Sequence, residues 1–237
     1  HVKKISQIKH NAVREMLKLF KIKNGLEIHY DGDLPARSGM GSSSVFVVGL
    51  MNLLNNFQGK IIGKKALAQK SIHFEQKILK EVVGSQDQIA ACYGGFNKIV
   101  FNIGGGFSVN PIIIKKKILE KFNKNLLLIY TGISRTAHTI AKSYTKKLQR
   151  SKKADIIDII NLTNEGEKFL KQGNLNDFGK LLHESWLLKK SLGSSISNHY
   201  IDDIYNNAVK KGALGGKLLG AGGGGFLLFY VPYFKQK

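Results

Sequence analysis

A chain of 237 residues has room for one large domain or two small ones, and with 43% hydrophobic, 22% charged and 9% aromatic residues its composition is that of an ordinary globular protein. This excludes a disordered, collagen-like or coiled-coil protein. The 37 Lys and Arg against 16 Asp and Glu leave a formal charge of +21, which favours anionic partners without choosing among nucleic acid, membrane surface and phosphorylated metabolite.

A lone cysteine, Cys92, excludes an internal disulfide and a cysteine-built zinc site, and it suits a reducing cytoplasm. The lysines fall in short, dispersed runs (Lys115 to Lys117, Lys146-Lys147, Lys152-Lys153) without interleaved aromatics, so a solvated basic surface is expected rather than a nucleic-acid site. No apolar run reaches the length of a membrane helix, so no membrane partner is expected either.

The chain opens at His1 without an initiator methionine and enters a helical repeat of Ile5, Ile8, Ala12, Met16 and Leu19, which reads as a fragment truncated at its N-terminus. A helix is predicted over 5–20. A strand follows Gly25, with Leu26, Ile28 and Tyr30 facing inward, and runs into a loop over 32–41. Residues 42–57, apolar almost all round, predict a buried helix; 64–79 predicts a second, and 84–92 a short third capped by Ser85. Gly94-Gly95 then breaks to a β-rich segment over 96–103. Beyond the basic 112–124 stretch come a buried strand over 126–130 and helices near 136–150, 153–171, 175–191 and 198–211. The third of these carries Leu175, Phe178, Leu182 and Trp186 on one stripe, and a last strand spans 226–231. The composition shifts near residue 122, so domains are expected at 1–122 and 123–237.

Three segments could carry chemistry. Pro35-Ala-Arg-Ser-Gly-Met-Gly-Ser-Ser-Ser44 lies between a predicted strand and a buried helix, where glycines let backbone N–H groups close on an anion and the helix N-terminus adds unsatisfied donors. It is not a Walker A loop, because no G-x-x-x-x-G-K-[ST] occurs in the chain. Lys217-Leu-Leu-Gly-Ala-Gly-Gly-Gly-Gly225 contains G-x-G-x-x-G, but it precedes a strand and not a helix, which argues against a dinucleotide fold. Glu75 and Asp87 supply the carboxylates that a Mg²⁺-dependent phosphoryl transfer needs, one for the metal and one for the proton of the attacking hydroxyl, although solvated helix charge and capping would also account for them. His10, His73, His138 and His183 show no metal-ligand spacing, and no hydrolase G-x-S-x-G is present.

Pro35 to Ser44 resembles the P-x-x-x-G-L-G-S-S-A loop of the GHMP kinase superfamily, with Met40 in place of leucine and Ser44 in place of alanine. Lys217 to Gly225 resembles that superfamily's K-x-x-G-A-G-G-G-G motif. The stretch from Val83 to Asn97, containing Gly84-Ser-Gln-Asp-Gln88, is most similar to the heptose 7-phosphate kinases and related sugar-1-kinases, and the similarity runs through nearly the whole chain, including the Tyr130-Thr-Gly-Ile-Ser-Arg135 turn. The superfamily's N-terminal P-x-R-x-x-x-x-G-G-x-T-D-like motif is absent from this sequence.

The resemblance implies an α+β fold: an N-terminal part like ribosomal protein S5 domain 2, then a ferredoxin-like part. It implies ATP and Mg²⁺ as cofactors and a small-molecule sugar phosphate as the partner. Carried over position by position, Pro35, Ser38, Gly39, Met40, Gly41, Ser42, Ser43 and Ser44 would bind the nucleotide phosphates. Ser43 with Glu75 would hold the metal, and Asp87 would be the catalytic carboxylate. Gln86, Gln88, Arg135, Gly220, Ala221, Gly222 and Gly223 would bind the substrate, Arg135 clamping its second phosphate. Three readings follow: a sugar kinase acting on the anomeric hydroxyl of D-glycero-D-manno-heptose 7-phosphate or on a fucose-type sugar; a non-catalytic nucleotide or sugar sensor on the same fold; and a basic nucleic-acid module suggested by charge alone.

Overall fold

The computed structural model describes residues 1–23, 25–35, 38–134 and 153–236. Two compact units emerge, His1–Ala36 with Gly41–Gly95, and Arg37–Met40 with Phe96–Lys237.

The first unit is helical. A 3-10 turn at Ile5–Gln7 precedes α1 (Asn11–Leu19), whose N-cap His10 accepts a hydrogen bond from the Val13 amide at 3.4 Å. The single predicted helix over 5–20 is therefore two pieces, separated where Ile8 and His10 take extended backbone. Then follow α2 (Ser42–Phe57), α3 (Lys64–His73), a π-helical turn (Phe74–Ile78) and α4 (Gln86–Tyr93). Met16, Val47, Met51, Leu54, Leu67 and Phe74 form the core beneath them. Their burial against one another is the main driving force for this unit.

Two expectations fail here for physical reasons. Residues 25–31 form no strand: no other strand pairs with them among the described residues, and Leu26, Ile28 and Tyr30 are exposed. Alternation buries a face only when a sheet exists to carry it. Tyr30 instead sets its ring edge-on to Phe46, 5.0 Å between centroids. Ser85 occupies the N-cap of α4 by position, but its side chain makes no capping bond there, and its hydroxyl accepts from Gln76 Nε2 at 3.3 Å.

The second unit pairs β1 (Asn97–Phe101) with β2 (Phe107–Pro111) as an antiparallel hairpin, Ile99 opposite Val109. After α5 (Lys116–Lys124) come β3 (Leu126–Tyr130), α6 (Lys153–Gln172), α7 (Leu175–Ser191), α8 (His199–Lys210), β4 (Gly215–Leu218) and β5 (Phe226–Tyr230). The three later strands form an antiparallel sheet in the order β3-β5-β4, with Leu228 facing both Leu128 and Lys217. α7 lies so close to β4 that a side chain at Gly215 would meet the Gly179 carbonyl. The predicted stripe on α7 is inward, with Leu175, Leu182 and Trp186 buried and Phe178 packed at the edge. The predicted helix near 136–150 lies outside the described residues.

The units divide after Gly95, whereas the sequence placed its boundary near residue 122. The hairpin and α5 belong with the second unit because Phe96 stacks on Phe122 at 6.1 Å and Phe122 in turn meets Phe178 and Tyr230. Lys98 of β1 also donates to Asn164 (2.7 Å) and Glu167 (2.8 Å) of α6.

The Glu167 carboxyl is held down at about 2 by hydrogen bonds from Lys171 and Lys98. A depressed carboxylate stabilises the fold above its ordinary range, and that contribution is lost as pH falls toward 2. Glu167→Gln should accordingly flatten the decline in melting temperature between about pH 4.5 and pH 2, read by circular dichroism. An identical acid limb in the variant would show that the Lys171 and Lys98 ties together contribute nothing. Among the described residues no helix is long and apolar enough to cross a membrane.

Candidate functional site

In the first unit, α2 opens at Gly41, whose φ of 74° and ψ of 13° place it in left-handed space with no side chain to cap the helix. The first amides of α2 are thus left to a ligand or to solvent. A Cβ at Gly41 would lie 3.1 Å from Asp87 Cγ, so the carboxyl of Asp87, in the first turn of α4, lies directly over the helix opening. Glycine at 41 is what leaves that space. Gln86 beside it is exposed and donates only a long 3.4 Å bond to Asp87 Oδ1.

Beneath this lies a buried polar cluster. Ser44 Oγ donates to both carboxylate oxygens of Glu75 at 3.0 Å, and Gln88 Nε2 donates to Glu75 Oε2. Glu75 and Gln88 are fully enclosed, and Ser44 nearly so. Glu75 reaches the cluster from the π-turn, where Leu79 bonds back to Phe74 at 2.9 Å and the wider coil shifts the phase of the helix. Such turns recur at functional sites. Burial raises the Glu75 pKa; the hydrogen bonds from Gln88 and Ser44 oppose this, and the nearby charges of Glu81 and Asp87 add to it.

The second unit holds the beginning of the loop. Ser38 is fully buried, and its carbonyl accepts from the Phe226 amide at 3.1 Å. A Cβ at Gly39 would lie 3.0 Å from the Leu219 carbonyl oxygen, one at Gly220 would lie 2.9 Å from Gly39 Cα, and one at Gly225 would run into the Ser38 carbonyl. The two glycine segments therefore pack backbone on backbone. The run is fixed from its other side by Thr131, whose amide (2.9 Å) and hydroxyl (2.8 Å) both donate to the Gly225 carbonyl, and by the Gly225 amide donating to Ile133 O at 2.8 Å. Lys189 Nζ donates to the carbonyls of Leu218 and Gly220, both at 2.7 Å, fixing the run's entrance. Gly223 donates to Ile196 O, and a Cβ at Gly222 would lie 2.8 Å from Ile196 Cα. Lys217 is half-buried, and burial lowers its pKa.

The residues singled out in the sequence fall into these groups as follows. Gly41, Asp87, Ser44, Glu75 and Gln88 gather in the first unit; Ser38, Gly39 and Gly220 to Gly223 gather in the second. Ser43, the serine paired with Glu75 by resemblance, is exposed, and the hydroxyl that reaches Glu75 is that of Ser44. The reason is helical phase: Ser44 shares the inward face with Val47, Val48 and Met51, one residue on from Ser43. Gln88, expected at the substrate, is enclosed on Glu75. Pro35 is exposed, Met40 and Ser42 are half-buried, and Arg135 lies outside the described residues. The roles of Thr131 and Lys189 carry no signal in the sequence, since each acts on a distant carbonyl.

The donors around Glu75 suit a hard divalent cation. Carboxylate, hydroxyl and the Gln88 Oε1, a buried acceptor without a partner among the described residues, are all oxygens, and the charges near Glu75 are negative. Among the described residues no cluster of three or more His, Cys, Asp or Glu could hold a metal by itself. Such a centre matches Mg²⁺ held by one carboxylate together with substrate phosphates.

The fold is α+β, with a glycine-opened helix in the first unit and two glycine segments packed main chain on main chain in the second. The family model described as "GHMP kinases N terminal domain" matches residues 6–95, and "GHMP kinases C terminal" matches residues 167–233; the chain belongs to the GHMP kinases. It is similar to a D-glycero-alpha-D-manno-heptose 7-phosphate kinase of Campylobacter jejuni, 32% identical over 210 residues that cover 88% of this chain and 62% of the relative. An L-fucokinase/L-fucose-1-P guanylyltransferase of Bacteroides fragilis is 30% identical over 238 residues, 94% of this chain and 24% of that one. A crystal structure of a D-glycero-D-manno-heptose 1-phosphate kinase from Bacteroides thetaiotaomicron shares the fold, with a TM-score of 0.67 at 23% identity over 95% of this chain and 64% of that one. The chain thus spans less than two thirds of the length of these relatives.

Proposed function

We propose that the protein is an ATP-dependent sugar kinase that transfers the γ-phosphoryl group to the anomeric hydroxyl of D-glycero-D-manno-heptose 7-phosphate. The observation that carries this reading is the Asp87 carboxyl poised over Gly41 at the opening of α2, a proton acceptor beside a phosphate-binding helix end. Membership of the GHMP kinases and similarity to the Campylobacter heptose 7-phosphate kinase support the acceptor. The lone Cys92 and the absence of a membrane-length helix among the described residues suit a cytoplasmic enzyme of small metabolites.

In this mechanism the N–H groups from Gly39 to Ser44 bind the nucleotide phosphates. Asp87 accepts the proton of the attacking sugar hydroxyl as its oxygen bonds to the γ-phosphorus and the bond to the ADP oxygen breaks. Glu75 and the Ser44 hydroxyl are the pair that would hold Mg²⁺, with Ser43 left to the phosphates; bound there, the cation neutralises charge on the phosphate oxygens. The Gly220 to Gly223 run packs on the start of the loop at Gly39 and remains a candidate substrate segment, and Gln86, exposed next to Asp87, is free to contact the sugar. Arg135 remains the candidate clamp for the second phosphate.

The test is ³¹P NMR of the full-length protein with Mg-ATP and the heptose 7-phosphate, beside fucose, galactose, mevalonate and homoserine. A new anomeric phosphate on the heptose is expected. Reaction with fucose alone would move the protein to the sugar-1-kinases, and ATP binding without any transfer would make it a sensor on a kinase fold.

A further inference from the structure

Asp87 is flanked by two glutamines that lie in opposite environments. Gln86 is exposed; Gln88 has no accessible surface and gives its amide N–H to Glu75 Oε2. We propose that Gln88 is a positioning residue that fixes the Glu75 carboxylate, and that it does not contact the sugar. The inference rests on the kinase reading above, in which Glu75 holds the metal.

The argument is one of donors and enclosure. A carboxylate with no accessible surface must have its lone pairs met from within the protein. Around Glu75 the donors are the Ser44 hydroxyl, which spreads over both oxygens at 3.0 Å, and the Gln88 amide, which addresses Oε2 alone. A hydroxyl swings about its C–O bond, so Ser44 by itself would leave the carboxylate plane undefined. The planar amide of Gln88, standing on α4 beside the fully buried Ile89, is the group that sets it.

The two remaining charges near Glu75, on Glu81 and Asp87, repel it and offer no substitute. Gln88 Oε1 is buried with no partner among the described residues, so the same side chain also leaves an acceptor open beside the carboxylate. Because Gln88 follows Asp87 directly, the bond that orients Glu75 also fixes the turn of α4 carrying the proton acceptor. A sugar could reach Gln88 only if this cluster opened, whereas Gln86 is already at the surface.

The experiment uses the full-length protein with Gln88→Leu, which removes the donor at similar volume, and Gln88→Asn, which retains an amide. Mn²⁺ binding in the presence of ATP is followed by electron paramagnetic resonance, alongside kcat and the KM for ATP and for the sugar. The Leu variant should bind Mn²⁺ about tenfold more weakly, with kcat reduced and the sugar KM within about twofold of wild type, and the Asn variant should recover most of the Mn²⁺ affinity. If the Leu variant does not fold, Gln88→Met takes its place in the same assay. A sugar KM raised tenfold with Mn²⁺ binding unchanged would make Gln88 a substrate contact and overturn the proposal, as would variants indistinguishable from wild type. Wild-type protein that neither binds Mn²⁺ with ATP nor transfers phosphate would overturn the kinase reading itself, and this proposal with it.

Discussion

On the proposed kinase reading, Asp87→Asn should lower the turnover of phosphoryl transfer by about 10²- to 10⁴-fold and leave ATP affinity within about twofold of wild type. The substitution keeps the shape of the side chain over Gly41, so the close approach that only glycine allows is undisturbed and the fold is unaffected. What changes is the capacity to take a proton from the attacking hydroxyl. On the proposed mechanism ATP affinity is spared, because that mechanism assigns the phosphate donors to the loop and the first turn of α2 and not to α4. Steady-state release of ADP and calorimetry with ATP measure the two quantities separately. Turnover at the wild-type rate in Asp87→Asn would remove this residue from the mechanism.

The largest structural effect is expected at Gly225. Alanine there meets two penalties: a φ of 98°, outside the range that side chains tolerate, and a Cβ driven into the carbonyl oxygen of Ser38. Gly105 provides the control, because its φ of 101° imposes the same backbone strain while nothing lies within 4 Å of its Cβ position. Gly105→Ala should cost about 1–2 kcal/mol of stability, and Gly225→Ala about 2–4 kcal/mol with a loss of ATP affinity. Denaturant melts and ATP titrations of the two variants isolate the collision from the strain. Equal losses in both would mean that Ser38 yields freely and that the glycine run does not brace the loop.

Most of the helices were legible because each is built on a periodicity carried by its own residues, as in the Leu175, Leu182 and Trp186 stripe of α7, and β3 and β5 were legible as continuous apolar runs, although β3, expected buried, leaves Leu127, Leu128 and Tyr130 exposed. The glycine segments were legible by resemblance. What escaped depends on partners elsewhere. The alternation at Leu26, Ile28 and Tyr30 satisfies every local rule for a strand and lacks the neighbour that would make it one. The domain division depends on Phe96, Phe122 and Lys98 choosing the second unit, which no composition shift records. The choice between Ser43 and Ser44 is a matter of 100° of helical phase. Glu75 was open to a reading as solvated helix charge because of its residue type, although it stands four residues after the buried Ser71 and so shares the inward face of the helix with Leu67, Ala68 and Ser71.

The contact between the two glycine segments has a consequence for how this fold can be recognised and altered. Gly39, Gly220 and Gly225 touch through main-chain atoms, so no side chain at one position can be trimmed to make room for growth at another. Compensating pairs of substitutions are therefore closed to them. Residues that cannot change together leave no trace of correlated change among homologues, so statistical methods that infer proximity from covariation will pass over one of the tightest contacts in the second unit. A redesign that samples substitutions in pairs will likewise find no viable path through these positions, and both segments must be carried over intact, although more than 180 of the 237 residues separate them.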